Sequence, residues 1–420
     1  MDTPKSMTFE ELYRKITKGA LNGKLEQTLE KLKDDGYDKH QLECLVHPEK
    51  QPPVWKINDC TCQDGKCIAA CLFDAIHKDE SGKLIIERDL CTACSRCVEA
   101  CEGGNLVLSR DTVSAIELIK EENNRTYAMV APAFAGQFGD DVTAGKLRTA
   151  LKMLGFFGMV EVATFADVLT LKEALEFEHN IKKKGDYQLA SCCCPVWIAL
   201  IRRSFGDTVG HLTKSVSPMI AAGRIIKEVF PGSRTVFIGP CMAKKSEAKE
   251  PDVAGAVDCV ITFEELRDIF DAAGICISEL PEDNSEHSST AGRIYARAGG
   301  VSEAVEKAVQ RLRTTDTPEM KTYTACGVKE CRALLESIEV ESDEYNFFEG
   351  MGCPGGCVGG PKAIRPVKEA KEAVESYAEA AHYKTPIDNP YVIDLLHRMG
   401  FERVQDFLEE SHILDRDFVE

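Results

Sequence analysis

The chain of 420 residues carries 51 lysines and arginines against 69 aspartates and glutamates, a formal net charge of −18 at pH 7. Its length predicts two or three domains rather than one core, and its acidic balance argues against broad binding of nucleic acids or anionic membranes. No apolar run approaches the roughly 18 residues that a membrane span needs, and the charged N-terminus has no apolar signal-peptide core, so we expect a cytosolic (cytoplasmic) protein.

The first part of the chain, residues 1–50, is predicted to form an N-terminal helical segment, because its apolar residues recur at helical spacing. A cysteine-rich segment follows. The chain has 19 cysteines, and eight of them fall between Cys60 and Cys101. In a reducing cytosol such clustering indicates metal binding rather than disulfides, so we assign residues 51–112 to a small α+β domain that holds iron–sulfur clusters.

The eight clustered cysteines form two runs of four. The second run has the spacing C-x2-C-x2-C-x3-C of bacterial ferredoxins, and the first reads C-x-C-x4-C-x3-C. In such proteins the fourth cysteine of a run ligates the neighbouring cluster. We therefore predict two [4Fe–4S] clusters, one held by Cys60, Cys62, Cys67 and Cys101 and the other by Cys91, Cys94, Cys97 and Cys71. The alternative is structural zinc, which usually takes two well-separated C-x2-C pairs.

From about residue 126 onward, β-rich runs alternate with helical stretches, a pattern typical of parallel α/β sheets. The predicted strands are 127–130, 160–164, 187–190, 235–238, 260–262, 322–324 and 345–348, and the predicted helices include 144–154, 168–178, 220–229 and 300–312. Ligands of such sheets gather beyond the carboxyl ends of the strands. We assign residues 113–368 to this catalytic domain and residues 369–420 to a C-terminal helical segment.

Three further cysteine loops each come directly after a predicted strand. They read S-C-C-C-P-V-W from Ser191, G-P-C-M-A-K-K-S-E from Gly239, and E-G-M-G-C-P-G-G-C-V-G-G from Glu349. Together they supply thiolates from three separate stretches, as one more [4Fe–4S] cluster would require. The glycine pairs let the backbone approach a bulky group closely, and Lys244 would place a positive hydrogen-bond donor beside an anionic group. The alternative, that these are merely small buried hydrophobic residues, suits cysteines elsewhere in the chain better.

These loops resemble the signature motifs of the [FeFe]-hydrogenases: T-S-C-C-P-x-W, M-P-C-x-x-K-x-x-E and E-x-M-x-C-x3-C-x-G-G. They occur in the same order, downstream of ferredoxin-type cysteine runs. The resemblance covers about residues 55–365 and, more weakly, a small-subunit-like tail. It implies two parallel-sheet lobes around an H-cluster, a [4Fe–4S] cubane joined through a cysteine sulfur to a diiron site. That site carries CO, cyanide and a bridging dithiolate amine.

Carried over position by position, the resemblance implies a set of site residues. The implied cubane ligands are Cys194, Cys241, Cys353 and Cys357, with Cys357 as the bridge to the diiron site. The residues implied around that site are Lys244 as a hydrogen-bond donor to a cyanide, Met351 as a packing neighbour, and Ala131 and Pro132 as pocket lining. Cys193 matches the thiol that relays protons, and Glu173 the next carboxylate. For a helical glutamate such as Glu173, a solvated surface charge is the alternative.

The implied activity is reversible oxidation of H2, with heterolytic cleavage and electrons passed through the clusters to or from ferredoxin or a similar carrier. Hydrogenase maturation proteins would be further partners, as would possible additional redox subunits. Two alternatives stay open: a hydrogen or redox sensor with the same cofactor, and a hydrogenase-like iron–sulfur assembly protein without the diiron site. The retention of Cys193, Lys244 and Met351 argues against the assembly protein. No G-x-G-x-x-G follows a strand, so no nicotinamide site is predicted.

The chain also departs from the family pattern. The first loop has three consecutive cysteines, and anchoring on Pro195 and the following tryptophan makes Cys192 the extra thiol. A register slip by one residue would exchange the ligand and relay roles of Cys194 and Cys193. Gly239 stands where a methionine is usual. The remaining departures are alanine for serine at Ala133, an ambiguous serine on the proton route (Thr213 or Ser215), and cysteines with no assigned role (Cys44, Cys326 and Cys331). These features resemble a divergent branch of the family.

Overall fold

The structure, a computed structural model, describes residues 7–33, 36–58, 60, 62, 65–121, 125–312, 318–403, 406–407 and 410–418. The strands are β1 Val54–Lys56, β2 Ile76–Lys78, β3 Leu84–Ile86, β4 Leu106–Leu108, β5 Thr126–Val130, β6 Gly158–Glu161, β7 Gln188–Ala190, β8 Arg234–Gly239, β9 Cys259–Thr262, β10 Thr322–Cys326 and β11 Phe347–Met351. The helices are α1 Phe9–Leu21, α2 Leu25–Leu32, α3 Lys39–Val46, α4 Lys66–Ala69, α5 Arg96–Glu99, α6 Thr112–Lys120, α7 Ala144–Leu154, α8 Ala163–Asn180, α9 Pro195–Ser204, α10 Pro218–Val229, α11 Ala243–Glu247, α12 Phe263–Ala273, α13 Thr290–Ile294, α14 Gly300–Leu312, α15 Val328–Glu341, α16 Val367–Glu379 and α17 Pro390–Arg398.

Within these residues, strands β5 to β11 form two parallel sheets, which confirms the predicted α/β class. One sheet has four strands in the order β6-β5-β8-β9, and the other has three in the order β10-β11-β7. The strands of the four-stranded sheet are buried nearly throughout, as expected where helices cover both faces of a parallel sheet. Each sheet has its own hydrophobic core, so the part of the chain that forms β5 to β11 has two lobes.

Helix α8 lies between the two lobes. It packs against α13 and α14 on one side and against α10 on the other. Because most of its residues are buried, it shows no amphipathic stripe, which is why helical periodicity revealed only its middle. The predicted strand 160–164 was wrong at its end: β6 stops at Glu161 and α8 begins at Ala163. Tertiary burial on all sides outweighs the β-propensity of the branched residues there.

The third cysteine loop follows a strand that differs from its prediction. The strand predicted over 345–348 instead begins at Phe347 and continues to Met351. Its extension includes Glu349, whose buried carboxylate accepts backbone hydrogen bonds from Gly299 and Ser302, each at 2.8 Å. The pairing with β10 places this polar residue within the strand. An apolar sequence pattern does not predict a buried strand through a glutamate, because burying a charged group is costly without hydrogen-bond partners.

The cysteine-rich segment folds as a small α+β part in front of the two lobes. β1 pairs antiparallel with β4, and β2 pairs antiparallel with β3, with the short helices α4 and α5 beside them. Since β1 and β4 lie at the two ends of the segment, their pairing closes it into one unit. The N-terminal segment is helical as predicted, and α1 packs on α6 and α12.

In the part of the chain that the structure describes, no helix combines the length and apolar character that crossing a bilayer requires.

A glycine in β11 provides a test of this packing. A Cβ on Gly350 would overlap the indole of Trp197, which is fully buried and donates from Nε1 to the Ala190 carbonyl at 2.9 Å. We expect Gly350→Ala to lower the free energy of unfolding by about 2–3 kcal/mol through overpacking. The measurement is the anaerobic urea midpoint. Gly206→Ala, at a site where a Cβ meets no atom within 4 Å, is the control and should stay within about 0.5 kcal/mol of the wild type. An equal, small effect of both substitutions would contradict the packing argument.

Candidate metal centre

The cysteines of the small α+β part separate into two groups that cross the two sequence runs. Cys60, Cys62, Cys67 and Cys101 line one cavity of about 50 Å³. The second group consists of Cys71, Cys91, Cys94 and Cys97. Burial is the main cause that raises the pKa of Cys91 to about 11 and of Cys97 to about 12, and neighbouring thiols of the group contribute to both rises. The structure therefore brings together the same two sets of four that the sequence pairs, although ligation itself stays a prediction.

The three later cysteine loops leave from the carboxyl ends of strands in both sheets. The first follows β7 and turns at Ser191, which has a left-handed φ of 68°, before α9 begins at Pro195. The second follows β8 and leads into α11, and the third follows β11. The first and third loops touch, because the Gly352 backbone N–H donates to Cys194 Sγ at 3.2 Å.

These loops bring four thiols together between the lobes. They are Cys194, Cys241, Cys353 and Cys357. Burial is the main cause that raises the pKa of Cys241 to about 11 and that of Cys357 to about 12, and the neighbouring Cys194 thiol contributes to both rises. The pKa of Cys353 is raised by burial and then by the other three thiols. Buried thiols with raised pKa values are inert as free acids, whereas a metal that replaces their protons stabilises the thiolates.

A site for a single metal ion is absent from the described residues, because no group of three or more cysteine, histidine, aspartate or glutamate side chains is placed to hold one ion.

A cavity of about 60 Å³ lies beside the four thiols. Cys241 and Cys357 belong to its wall, together with Cys193 and Lys244, and Ala131 and Pro132 of the segment after β5 also line it. Its other lining residues are Ala133, Val162, Ala166, Pro218, Met219, Phe237, Pro240, Tyr295 and Ala296. About 10–15 Å³ of such space holds one water, so the cavity accepts a small group in almost wholly apolar surroundings. Met351 is fully buried but does not line this wall; it packs in the same hydrophobic cluster as Cys193.

Lys244 is the positive charge of this cavity. Burial works against its ammonium, but the Glu247 carboxylate, 2.6 Å from Nζ, and the nearby thiols Cys241 and Cys193 raise its pKa overall. The lysine therefore stays protonated in an apolar site. It can donate hydrogen bonds to an anionic group held next to Cys241 and Cys357.

Gly239 stands where the resemblance implies a methionine, and a neighbouring ring occupies part of the space that a larger side chain would take. A Cβ on Gly239 would lie 2.8 Å from the ring of Phe237 and 3.2 Å from the Cβ of Ala131. Phe237 also lines the cavity, so its ring occupies space beside the position where a larger side chain would start. The wall remains closed and apolar despite the substitution.

Two neighbouring cysteines face in different directions. Cys193 lines the cavity, whereas Cys192 donates from Sγ to Glu173 Oε1 at 3.4 Å and to the Val216 carbonyl at 3.2 Å. Sequence reasoning left Cys192 without a role, because a run of three identical residues does not reveal which one faces which way. The structure makes it the contact between the cavity loop and the carboxylate.

Glu173 is not a surface charge. It is 0% exposed on α8, and burial raises its pKa to about 8, with the nearby carboxylate of Glu176 adding to the rise. The hydrogen bond from Cys192 acts in the opposite direction. A carboxyl group with a pKa near neutrality can both take up and release a proton at working pH.

Sequence reasoning missed Tyr295 and the roles of two cysteines. Tyr295 lines the cavity and accepts a hydrogen bond from Thr170 Oγ1 at 2.9 Å; it lies in irregular backbone after α13, where no pattern marks it. Cys326 Sγ accepts the Gly355 N–H at 2.8 Å, and Cys331 Sγ donates to the Met351 carbonyl at 3.5 Å. These two thiols hold the third loop in place from the side of β10 and α15. Cys44 is buried in the core of the N-terminal helices.

The candidate cluster sites adjoin one another. Cys94 of the second ferredoxin-type group contacts the same small hydrophobic cluster as Cys194 and Cys241 of the four-thiol site. Members of both ferredoxin-type groups, including Cys67 and Cys97, share another cluster. The three sites therefore form a continuous series from the small α+β part to the cavity.

Comparisons with known proteins concern the family and the fold. The family model described as "Iron only hydrogenase large subunit, C-terminal domain" matches residues 124–361. A solved structure of a variant of [FeFe]-hydrogenase HydA1 from Chlamydomonas reinhardtii superposes with a TM-score of 0.59 at 21% identity, covering 73% of this chain and 98% of that one. At that identity the likeness concerns the fold.

Curated relatives include hydrogenases and iron–sulfur assembly components. The NADP-reducing hydrogenase subunit HndD of Solidesulfovibrio fructosivorans is 27% identical over 365 residues, which cover 73% of this chain and 62% of the relative. The chain thus spans less than two thirds of that hydrogenase subunit. The cytosolic iron-sulfur assembly component 3 of Bos taurus is 24% identical over 423 residues, covering 83% of this chain and 88% of the relative.

The buried carboxyl group predicts a pH dependence of stability. Between its unfolded pKa of about 4.5 and its folded pKa of about 8, Glu173 keeps a proton in the native state that the unfolded chain has released, so stability falls as pH rises. We expect Glu173→Gln to remove this loss, which amounts to about 1.4 kcal/mol per pH unit within the window. Urea unfolding at several pH values measures it. Glu336→Gln, at an exposed position on α15, is the control. Parallel curves for wild type and Glu173→Gln would contradict a buried, protonated Glu173.

Proposed function

The chain belongs to the iron-only hydrogenase large-subunit family, and from this premise we propose that it is an [FeFe]-hydrogenase that catalyses reversible H2 oxidation. The observation that carries the proposal is one cavity whose wall contains Cys357, Lys244 and Cys193 beside a group of four thiols. This reaction needs three groups at one place: a thiolate that attaches a metal group, a cation that binds its anionic ligand, and a thiol that moves a proton.

The residues present fit an H-cluster. Cys194, Cys241, Cys353 and Cys357 would hold its cubane, Cys357 would bridge to the diiron site, and Lys244 would donate to a cyanide. The apolar wall, with Ala131 and Pro132, suits uncharged CO ligands. Gly356 lets the third loop approach closely, since a Cβ there would lie 2.5 Å from the Ala298 nitrogen. When bound, the H-cluster supplies the iron site at which H2 is cleaved.

The protein's own residues would move the proton and exclude water. Cys193 is 8% exposed and faces the cavity, so its thiol would exchange a proton with the bound group. Cys192, the preceding residue, donates to Glu173, so this carboxyl group lies next to the loop that carries Cys193 and would be the next group to receive the proton. A carboxyl with a pKa of about 8 is suited to pass it on in either direction.

Electrons would travel through the two ferredoxin-type clusters. The contact between Cys94 and the surroundings of Cys194 and Cys241 supports a short step from the cubane site to the second cluster. The first group, at Cys60 and Cys62, is the more exposed and would face the electron partner. We also propose ferredoxin or a similar carrier as the electron partner, with hydrogenase maturation proteins and possible further redox subunits as other partners. The protein would have a cytoplasmic location, and the chain would divide into four parts at residues 50, 112 and 368.

A second candidate is an iron–sulfur assembly protein with cubanes and no diiron site. It is favoured by the relative described as an assembly component, which aligns with 83% of this chain and 88% of its own length. An assembly role gives no evident use to a cavity that combines Lys244 with Cys193. We therefore place it second.

Infrared spectroscopy separates the two. After anaerobic production with maturation proteins, we expect bands of iron-bound CO and cyanide, together with H2 evolution from reduced ferredoxin. Cubane iron without such bands, and without turnover, would favour the assembly protein and refute the hydrogenase. Carbonyl bands without appreciable turnover would favour a sensor.

Cys193→Ala tests the relay thiol. The substitution should lower H2 turnover by at least about a hundredfold, because general acid–base transfer supplies an effect of this order. Iron content and infrared bands should stay intact, since Cys193 is not among the proposed ligands. Cys276→Ala, at an exposed cysteine, is the matched control and should keep full activity. Loss of iron in Cys193→Ala would instead assign ligation to this residue and reverse the roles of Cys193 and Cys194.

A further inference from the structure

The helix that carries Glu173 continues to a second, half-buried carboxyl group. Glu176 lies three residues further along α8, and burial raises its pKa as well. Among the described residues, Glu173 Oε2, Glu176 Oε2 and Ser215 Oγ are buried atoms without a hydrogen-bond partner. Buried polar oxygens of this kind normally bind ordered water. The polar path from the cavity thus extends beyond Glu173 towards the surface.

A lysine holds Glu176 next to the C-terminal segment. Lys172 Nζ lies 3.3 Å from Glu176 Oε1 and 2.7 Å from Asp415 Oδ1, and it donates to the Lys214 carbonyl at 2.5 Å. Since both carboxylates contact one nitrogen, a single water can join them. The charge of Asp415 also raises the pKa of Glu176, consistent with this short separation.

The C-terminal segment then reaches solvent through a histidine. His412 Nδ1 lies 2.8 Å from Asp415 Oδ2, and the His412 side chain is 85% exposed. The segment is docked rather than loose: Leu414 is 1% exposed, and its carbonyl accepts the Val216 N–H at 2.9 Å. Asp415 pairs by its backbone with Ser215. This docking keeps the imidazole over the outer end of the carboxyl series.

We propose that Asp415 and His412 form the outer mouth of the proton route, with Lys172 as the positioning residue that holds Glu176 and Asp415 together. The proposal rests on the proposed function and extends it to a part of the chain outside the cysteine motifs. In the outward direction the proton passes from Glu173 to Glu176, through water to Asp415, and then to His412, which releases it to buffer. In the inward direction the same groups collect it.

The chemistry of each step is a proton transfer alone. Glu176 loses its O–H proton to the bridging water, which gives one to the Asp415 carboxylate, and Asp415 passes it to His412 Nδ1. The imidazolium then loses its Nε2 proton to a buffer base, and the exposed ring can turn to reset its tautomer. Every step breaks one O–H or N–H bond and forms another, and no electron moves. An imidazole suits the last position because it can accept a proton at one ring nitrogen and release one from the other.

The competing explanation is a purely structural clasp. Arg224 donates to the Asp415 carbonyl at 3.1 Å, and Arg416 pairs with Asp252, Nε to Oδ2 at 2.6 Å, so the segment has ion pairs that do not face Glu176. A clasp would respond to loss of any of these contacts. A proton mouth would respond to loss of Asp415, of His412 or of the positioning Lys172, and small buffer molecules would take over the role of His412.

The test uses two readouts on the cluster-loaded protein. The first follows deuteration of the buried Glu173 carboxyl by rapid-mixing infrared spectroscopy in D2O, with the band assigned by Glu173→Gln; it requires no hydrogenase activity. The second follows H2 evolution at low and high buffer concentration. In His412→Gln and Asp415→Asn we expect both rates to fall about tenfold at low buffer. Added imidazole should restore His412→Gln to at least about half the wild-type rate.

Two control variants separate the mouth from a clasp. His397→Gln removes another exposed histidine of the C-terminal segment, and Asp252→Asn removes an ion pair that anchors the same segment through Arg416. Both should keep wild-type rates at every buffer concentration. Equal deuteration rates in wild type and His412→Gln, a loss that imidazole does not restore, or an equal loss in Asp252→Asn would each overturn the proposal. If the wild type evolves no H2, the proposed function fails, and the deuteration rates still decide the proton mouth.

Discussion

Four half-buried thiols come together between the two lobes, and much of the structure serves that arrangement. They come from loops that leave β7, β8 and β11, which belong to two different sheets. Helix α8 contacts elements of both lobes. The same helix carries the buried Glu173, so one element both contacts the two lobes and holds this carboxyl group beside the first cysteine loop.

The charges buried around the site are balanced by the end of the chain. Lys244 pairs with Glu247 at 2.6 Å, Arg416 lies 3.7 Å from the same glutamate, and Asp415 pairs with Lys172 on α8. A buried charge without a partner is strongly destabilising, so these contacts allow a protonated lysine to remain in an apolar cavity. The C-terminal segment thereby joins the second cysteine loop to the helix of Glu173, although neither belongs to it in sequence.

Family membership and function are supported by different features. The fold and the four-thiol arrangement are compatible with hydrogenases and with iron–sulfur assembly proteins alike, and relatives of both kinds align with the chain. The feature that bears on the choice between the two roles is the cavity next to the thiols, whose wall includes Lys244 and Cys193, because a fold alone does not determine function.

Local sequence determined the motifs and most secondary structure. The cysteine spacings predicted the groups that the structure brings together, and the amphipathic patterns of α7 and α14 gave their bounds correctly. Only the tertiary structure decided the rest. It buried Glu173, and it directed Cys192 towards that carboxyl group and Cys193 towards the cavity. It also placed His412, which is more than 200 residues from Glu173 in sequence, next to Asp415, whose carboxylate pairs with Lys172 of α8. Spacing along the chain carries no information on these contacts, because they depend on how separate elements pack and on which side of a turn each side chain leaves the backbone.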